Sequence, residues 1–123
     1  MAKILYVEDH PGQRDLMAQM LQLSGFEVDV AEDGVQGVEK AKSWLPDLIL
    51  MDLRMPRMDG FEAIEALKND ESTIHIPIIA ISAWTSSDRK KQAFEAGAND
   101  YYTKPVDIPR LMATIRNHLA QKE

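Results

Sequence analysis

Along the chain, continuous apolar runs of strand length alternate with stretches whose apolar residues recur at helical spacing, five times over. Ile4-Leu5-Tyr6-Val7, Leu48-Ile49-Leu50-Met51 and Ile76–Ile81 carry no polar gap, the pattern of strands buried on both faces. Pro77 stands at the start of the last of these, where a missing N–H matters least. Glu27–Ala31 alternates weakly and predicts a short edge strand, and Tyr101-Tyr102-Thr103 predicts a final one.

The helical stretches lie between them. After a turn at Pro11-Gly12, Leu16, Met17, Met20, Leu21 and Leu23 fall at helical spacing, with Gly25 as a left-handed stop. Asp33-Gly34 turns the chain into a helix carrying Val35, Val38, Ala41 and Leu45, ended by Pro46. Phe61, Ile64 and Leu67 mark a short helix that begins near Asp59-Gly60 and precedes the polar loop Asn69–Thr73. A helix from about Ser87 to Ala96 has Ser86 or Ser87 as cap and Gly97 as stop. Its apolar stripe, Ala93, Phe94 and Ala96, is thin, so it should be the least buried. Asp107 caps a last helix with Ile108, Leu111, Met112, Ile115 and Leu119 on one face. Strands alternating with helices in this way imply an α/β domain, a doubly wound five-stranded parallel sheet covered on both faces by five helices. There is no internal repeat, low-complexity tract or linker, so residues 1–123 read as one domain.

Composition narrows the function classes. The absence of cysteine excludes disulfides, thiol catalysis and thiolate zinc sites. Lys and Arg number 14 against 20 Asp and Glu, a formal charge of −6 that argues against non-specific nucleic-acid binding. The N-terminal apolar stretch Ile4–Val7 runs straight into Glu8 and Asp9, which is no signal peptide. No apolar run approaches the ~20 residues that span a bilayer. The expected setting is cytoplasmic, with no membrane association.

In open parallel sheets, ligands bind beyond the carboxyl ends of the strands. The residues met there are Glu8-Asp9 after the first apolar run, Asp52 after the third strand, Ser82 after the fourth and Lys104-Pro105 after the fifth. Carboxylates crowded together repel unless a cation sits among them or some are protonated. Oxygen donors without cysteine suit a hard ion, Mg²⁺ or Mn²⁺, which keeps several waters and shares an anionic group such as phosphoryl. A lysine and a hydroxyl could hold the remaining phosphoryl oxygens. Phosphoryl transfer onto or off a carboxylate fits this set.

Read in order, Val7-Glu8-Asp9, the run Leu50-Met51-Asp52-Leu53-Arg54-Met55-Pro56-Arg57-Met58-Asp59-Gly60, then Ile81-Ser82-Ala83, and finally Ala96-Gly97-Ala98-Asn99-Asp100-Tyr101-Tyr102-Thr103-Lys104-Pro105 resemble the receiver domain of bacterial two-component response regulators. The likeness covers residue 3 to about residue 120. It implies a flavodoxin-like strand order 2-1-3-4-5. It implies Asp52 as phosphoacceptor from a sensor histidine kinase or histidine phosphotransfer protein. Asp9 would bind Mg²⁺ directly, Glu8 mostly through water, and the Arg54 backbone carbonyl would complete the ligands beside Asp52. Lys104 would pair with the phosphoryl group, Ser82 would hydrogen-bond it, and Tyr101 would report the event to the surface. The Lys104–Pro105 bond is expected cis. Arg54 and Trp84 stand where side chains flank the phosphoryl group and tune its hydrolysis. Output is expected through protein contact on the face of the fourth helix, fifth strand and fifth helix. The chain would then be no enzyme beyond its own phosphotransfer and autodephosphorylation.

Other readings stand beside this one. The sequence ends just after the fifth helix, so output is expected through protein contact, and the opening Met1-Ala2-Lys3 favours a stand-alone signalling module over a receiver excised from a hybrid histidine kinase. A flavodoxin-like carrier would need a Ser/Thr/Gly loop after the first strand, where Glu8-Asp9-His10-Pro11 would repel a flavin phosphate. No GxxxxGK[ST] is present for a P-loop nucleotidase. An aspartyl-phosphate hydrolase would normally carry its nucleophile after the first strand. His10, His75 and His118 read as surface residues, and Met51, Met55 and Met58 as packing. Lys90-Lys91 reads as a solvated helix face, and Tyr101 could be inert packing. Trp84 sits in a loop with no obvious core to enter, as a shield over the phosphoryl group or an outward partner anchor.

Overall fold

The strands form where the apolar runs predict them. In a computed structural model, which describes residues 1–55 and 57–121, the elements are β1 (Lys3–Val7), α1 (Pro11–Leu23), β2 (Glu27–Ala31), α2 (Gly34–Trp44), β3 (Leu48–Asp52), α3 (Gly60–Lys68), β4 (Ile78–Ser82), α4 (Ser87–Ala96), β5 (Asp100–Thr103) and α5 (Ile108–Ala120). All pairings are parallel, in the order β2-β1-β3-β4-β5. Pro56, within the long motif after β3, lies outside the described residues.

Successive strand residues point to opposite faces, and the core divides accordingly. Leu5, Val7, Ile49 and Met51 pack on the side of α2 and α3, with Phe61, Ile64 and Leu67. Ile4, Tyr6, Leu48, Leu50, Ile79 and Ile81 pack on the side of α1 and α5, with Met17, Leu21, Leu111 and Ile115. Every residue of β3 and β4 is buried, so both covering layers are anchored on the two strands that carry Asp52 and Ser82.

The helix ends correct several sequence expectations. Pro11-Gly12 is not a turn before α1 but its first residues. His10 is the N-cap and its Nδ1 accepts from the Gln13 N–H at 3.2 Å, while proline fits the first helical position because no partner awaits its N–H there. Leu45 lies beyond α2 as its left-handed cap at φ 52°, half exposed, instead of on the apolar face. β4 begins at Ile78, two residues inside the apolar run, because the Pro77 carbonyl accepts from Ile49 but its nitrogen has no proton to give. His118 is no free surface residue. Its Nε2 lies 2.6 Å from Asp100 Oδ2, tying α5 to β5. The thin stripe of α4 is as predicted: Ala93 alone is buried and Phe94 is 41% exposed.

On the other flank, the loop after β3 is strapped to the start of α2. Arg57 holds Asp33, the α2 N-cap, through Nε at 2.9 Å and Nη2 at 3.1 Å. A Cβ on Gly34 would sit 2.2 Å from the Met58 carbonyl oxygen, so only glycine allows that approach.

Candidate functional site: an acidic cluster at the strand ends

Parallel pairing brings the ends of β1, β3, β4 and β5 to one edge, and backbone bonds carry the register beyond the strands. The Glu8 N–H donates to the Ala31 carbonyl at 3.0 Å, Leu53 to Ile81 at 3.1 Å and Lys104 to Ser82 at 2.8 Å. Glu8, Asp9 and Asp52 each offer a carboxylate oxygen, all within 4.8 Å of one another. Glu8 and Asp52 are buried, while Asp9 is exposed. Facing them, Lys104 Nζ lies 2.8 Å from Glu8 Oε1 and 3.6 Å from Asp52 Oδ2. The Lys104–Pro105 peptide is cis.

Each buried carboxylate has its own support. Glu8 accepts from the Tyr6 hydroxyl at 3.1 Å and from the His10 N–H at 3.3 Å. Asp52 accepts from the Arg54 N–H at 3.2 Å, and the Arg54 side chain is exposed. Gly60, at the start of α3, lets the loop after β3 close on itself, since a Cβ there would sit 2.5 Å from the Asp52 carbonyl oxygen.

One ammonium among three carboxylates leaves the pocket short of positive charge. Burial, and then the adjacent Glu8 carboxylate, push Asp52 up from 3.8 to about 7. Burial disfavours the Glu8 anion too, yet its bonds with Asp52 and Lys104 outweigh this and hold it well below its ordinary range. Burial and then Glu8 raise Asp9 as well. The Tyr6 hydroxyl is pushed far up by burial and then by Glu8, so it stays a proton donor. The two buried neighbours are therefore pushed apart, Glu8 toward the anion and Asp52 toward the neutral acid.

Beyond β4, Ser82 and Tyr101 meet on one residue. The buried Ser82 hydroxyl oxygen accepts from the Trp84 N–H at 3.0 Å, and the Tyr101 hydroxyl donates to the Trp84 carbonyl at 2.6 Å. The Trp84 indole does find a seat, contrary to the sequence expectation. It stacks on Phe61 of α3 at 6.0 Å and 9° between planes, and the Arg89 guanidinium of α4 covers its ring at 4.4 Å. Sequence reasoning also missed Gln13, whose Oε1 accepts from Lys104 Nζ at 2.9 Å. A neutral, exposed residue in a first helical turn gives no signal of its own in the sequence.

The sequence and its topology are matched by known proteins. The family model for the response regulator receiver domain matches residues 4–116. This chain belongs to that family. Among curated relatives, the receiver is 39% identical over 116 residues to the DNA-binding dual master transcriptional regulator RpaA of Synechocystis sp., covering 94% of this chain and 48% of RpaA. The chain therefore spans about half of that relative. It is 33% identical to the polar-differentiation response regulator DivK of Brucella ovis, covering 94% of each. Among solved structures, chemotaxis protein CheY4 of Vibrio cholerae matches with a TM-score of 0.89 and 32% identity, covering 95% of this receiver and 98% of CheY4. The receiver domain of the sensor histidine kinase PA1611 of Pseudomonas aeruginosa matches at 0.90 and 33%, covering 97% and 98%, and holds a magnesium ion in its active site cleft. The flavodoxin-like strand order is common to the family and to this receiver. Among its described residues, no helix is long and apolar enough to cross a membrane.

Proposed function

We propose that this receiver takes a phosphoryl group onto Asp52 from a phosphohistidine of a sensor histidine kinase or histidine phosphotransfer protein, and signals by protein contact. The observation that carries the reading is the cluster of Glu8, Asp9 and Asp52, with oxygens within 4.8 Å, faced by Lys104. The donor set fits Mg²⁺, and Mn²⁺ would meet the same ligands: all donors are hard oxygens, and two of the three carboxylates are buried with a single ammonium between them. Asp9 and Asp52 would hold the ion, with the Arg54 carbonyl as a further oxygen and Glu8 acting through water. Bound there, the ion would neutralise charge between the carboxylates and the phosphoryl oxygens.

In the transfer, an Asp52 carboxylate oxygen attacks phosphorus, the new O–P bond forms as the P–N bond to imidazole breaks, and the imidazole nitrogen keeps the electron pair. Asp52 must be ionised to attack, and because burial and Glu8 raise its pKa, added positive charge in the pocket would enlarge its reactive fraction near neutral pH. Lys104 supplies part of that charge to the phosphoryl oxygens. The Ser82 hydroxyl, now an acceptor from Trp84, would turn its proton to a phosphoryl oxygen and so disturb the residue to which Tyr101 is bonded. A groove of about 590 Å³ lined by Lys90, Phe94, Tyr101, Tyr102 and Arg110 lies on the α4–β5–α5 side and suits a protein target. A second, of about 580 Å³, runs from Lys104 along α1 past Leu16 and Met20 and suits the donor, because it opens on the reacting group.

Acetyl phosphate with Mg²⁺ should add one phosphoryl group by intact mass, and Asp52→Asn should add none. Equal labelling of the Asn variant would move the acceptor elsewhere. Asp9→Ala should lose most Mg²⁺ binding by titration, and an unchanged titration would displace the cation from this cluster.

A further inference from the structure

We propose that Gln13 is a positioning residue of the phosphoryl site: its amide oxygen parks the Lys104 ammonium against α1, and that bond is given up when Lys104 turns to the phosphoryl group. This rests on Asp52 as the acceptor. An ammonium has three N–H donors and no acceptor. In this receiver one goes to Glu8 Oε1 at 2.8 Å and one to Gln13 Oε1 at 2.9 Å, while Asp52 Oδ2, at 3.6 Å, lies beyond hydrogen-bond reach. Both short bonds draw Lys104 toward β1 and α1 and away from the acceptor.

Of the two, the Gln13 bond is the one that can break. Glu8 is a buried anion, and leaving it without its cation is costly. Gln13 is neutral and exposed, so water replaces the lysine at its oxygen at little cost. The Gln13 main chain is anchored in the first turn of α1, its backbone N–H donating to the His10 cap at 3.2 Å, so only its side chain reaches toward Lys104. The contact joins residues 91 apart in sequence and lies in the wall of the groove that opens on Lys104. A protein donor seated in that groove would press on the amide and loosen it. The amide chemistry is what makes the hold reversible. A carboxylate at the same place would bind Lys104 more tightly and repel the phosphoryl group as well.

The test is the rate of labelling of the full chain by acetyl phosphate and Mg²⁺ at neutral pH, for wild type, Gln13→Leu, Gln13→Asn and Gln13→Glu. Gln13→Leu removes the acceptor, and Gln13→Asn keeps an amide one methylene too short to reach. Both should label faster than wild type, by about three- to tenfold. Gln13→Glu should label slower by a similar factor, and added salt should shrink that effect but leave the gain of the Leu variant in place. A residue that merely supported the fold would slow labelling in every variant. Uniform slowing, or equal rates in all four proteins, overturns the proposal while leaving the acceptor reading intact. Absence of label in the wild type overturns the acceptor reading and this inference with it.

Discussion

Replacing Asp52 with asparagine should make this protein more stable, and only above mild acidity. The carboxyl ionises at about 7 in the folded chain against 3.8 ordinarily, because it is buried beside Glu8. Below about pH 4 it is protonated in both folded and unfolded chains and costs nothing. Between there and pH 7 the unfolded chain gives up the proton and the folded chain keeps it, so stability falls as pH rises; above 7 the full cost is present. A shift of about three units is worth about 4 kcal/mol as a ceiling. The Glu8 shift runs the other way and offsets part of this. About half the ceiling, roughly 2 kcal/mol, is the expected gain for the neutral isostere. For a domain of this size that corresponds to roughly 8 °C in melting temperature. The assay is thermal unfolding of wild type and Asp52→Asn in chelator-treated buffer at pH 4, 6 and 8. The gap should be near zero at pH 4, widest at pH 8, and reduced there by Mg²⁺, which stabilises the wild type alone. An asparagine variant no more stable than wild type at pH 8, or equally favoured at pH 4, would refute the charge crowding on which the site argument rests.

Other perturbations test the supports. Gly60→Ala would drive a Cβ to 2.5 Å from main-chain atoms of Asp52 and Leu53, and should cost about 2 kcal/mol in urea unfolding while slowing acetyl phosphate labelling; wild-type values for both would mean the loop is free to give way. Tyr6→Phe removes the hydroxyl that donates to buried Glu8 at 3.1 Å, and should cost about 1–2 kcal/mol at pH 7 with the fold retained by circular dichroism. No loss would show that solvent replaces it. Phosphorylation should change Trp84 fluorescence, since its peptide groups hold both Ser82 and Tyr101; the change should persist in Trp44→Phe and vanish in Trp84→Phe, and the reverse pattern would detach Trp84 from the event.

The buried strands and the polar residues that follow them were legible because both depend on residue type alone. An unbroken apolar run of four to six residues, too short for a buried helix and set between helical stretches, reads as a covered strand, and a charged residue straight after it falls at the sheet edge. That is how Glu8, Asp9, Asp52, Ser82 and Lys104 could be grouped before any coordinates. The misses depend on where distant segments meet. Gln13 looks like any solvated helix residue until Lys104 is laid beside it. Trp84 looks homeless until Phe61 of α3 and Arg89 of α4 arrive on its two faces. His118 reads as an exposed helix residue because nothing near it in sequence announces Asp100. The start of α1 is missed for a local reason: Pro11-Gly12 has the composition of a turn, yet proline is equally at home in the first position of a helix.

The two flanks of the acceptor differ in mechanical compliance. On the β2 side, Arg57, Asp33, Gly34 and Met58 rivet the loop after β3 to α2, with contacts too close for any side chain to intervene. On the β5 side, α4 meets the core through the small side chains of Ala93, buried, and Ala96, partly buried, and meets the indole of Trp84 through Arg89. A helix so lightly bedded opposes displacement with little apolar area. Displacement at the strand ends therefore meets less apolar packing toward α4 than toward α2. On the phosphoacceptor reading proposed above, such a chain would deform on its soft side without loosening Glu8, Asp9 and Asp52.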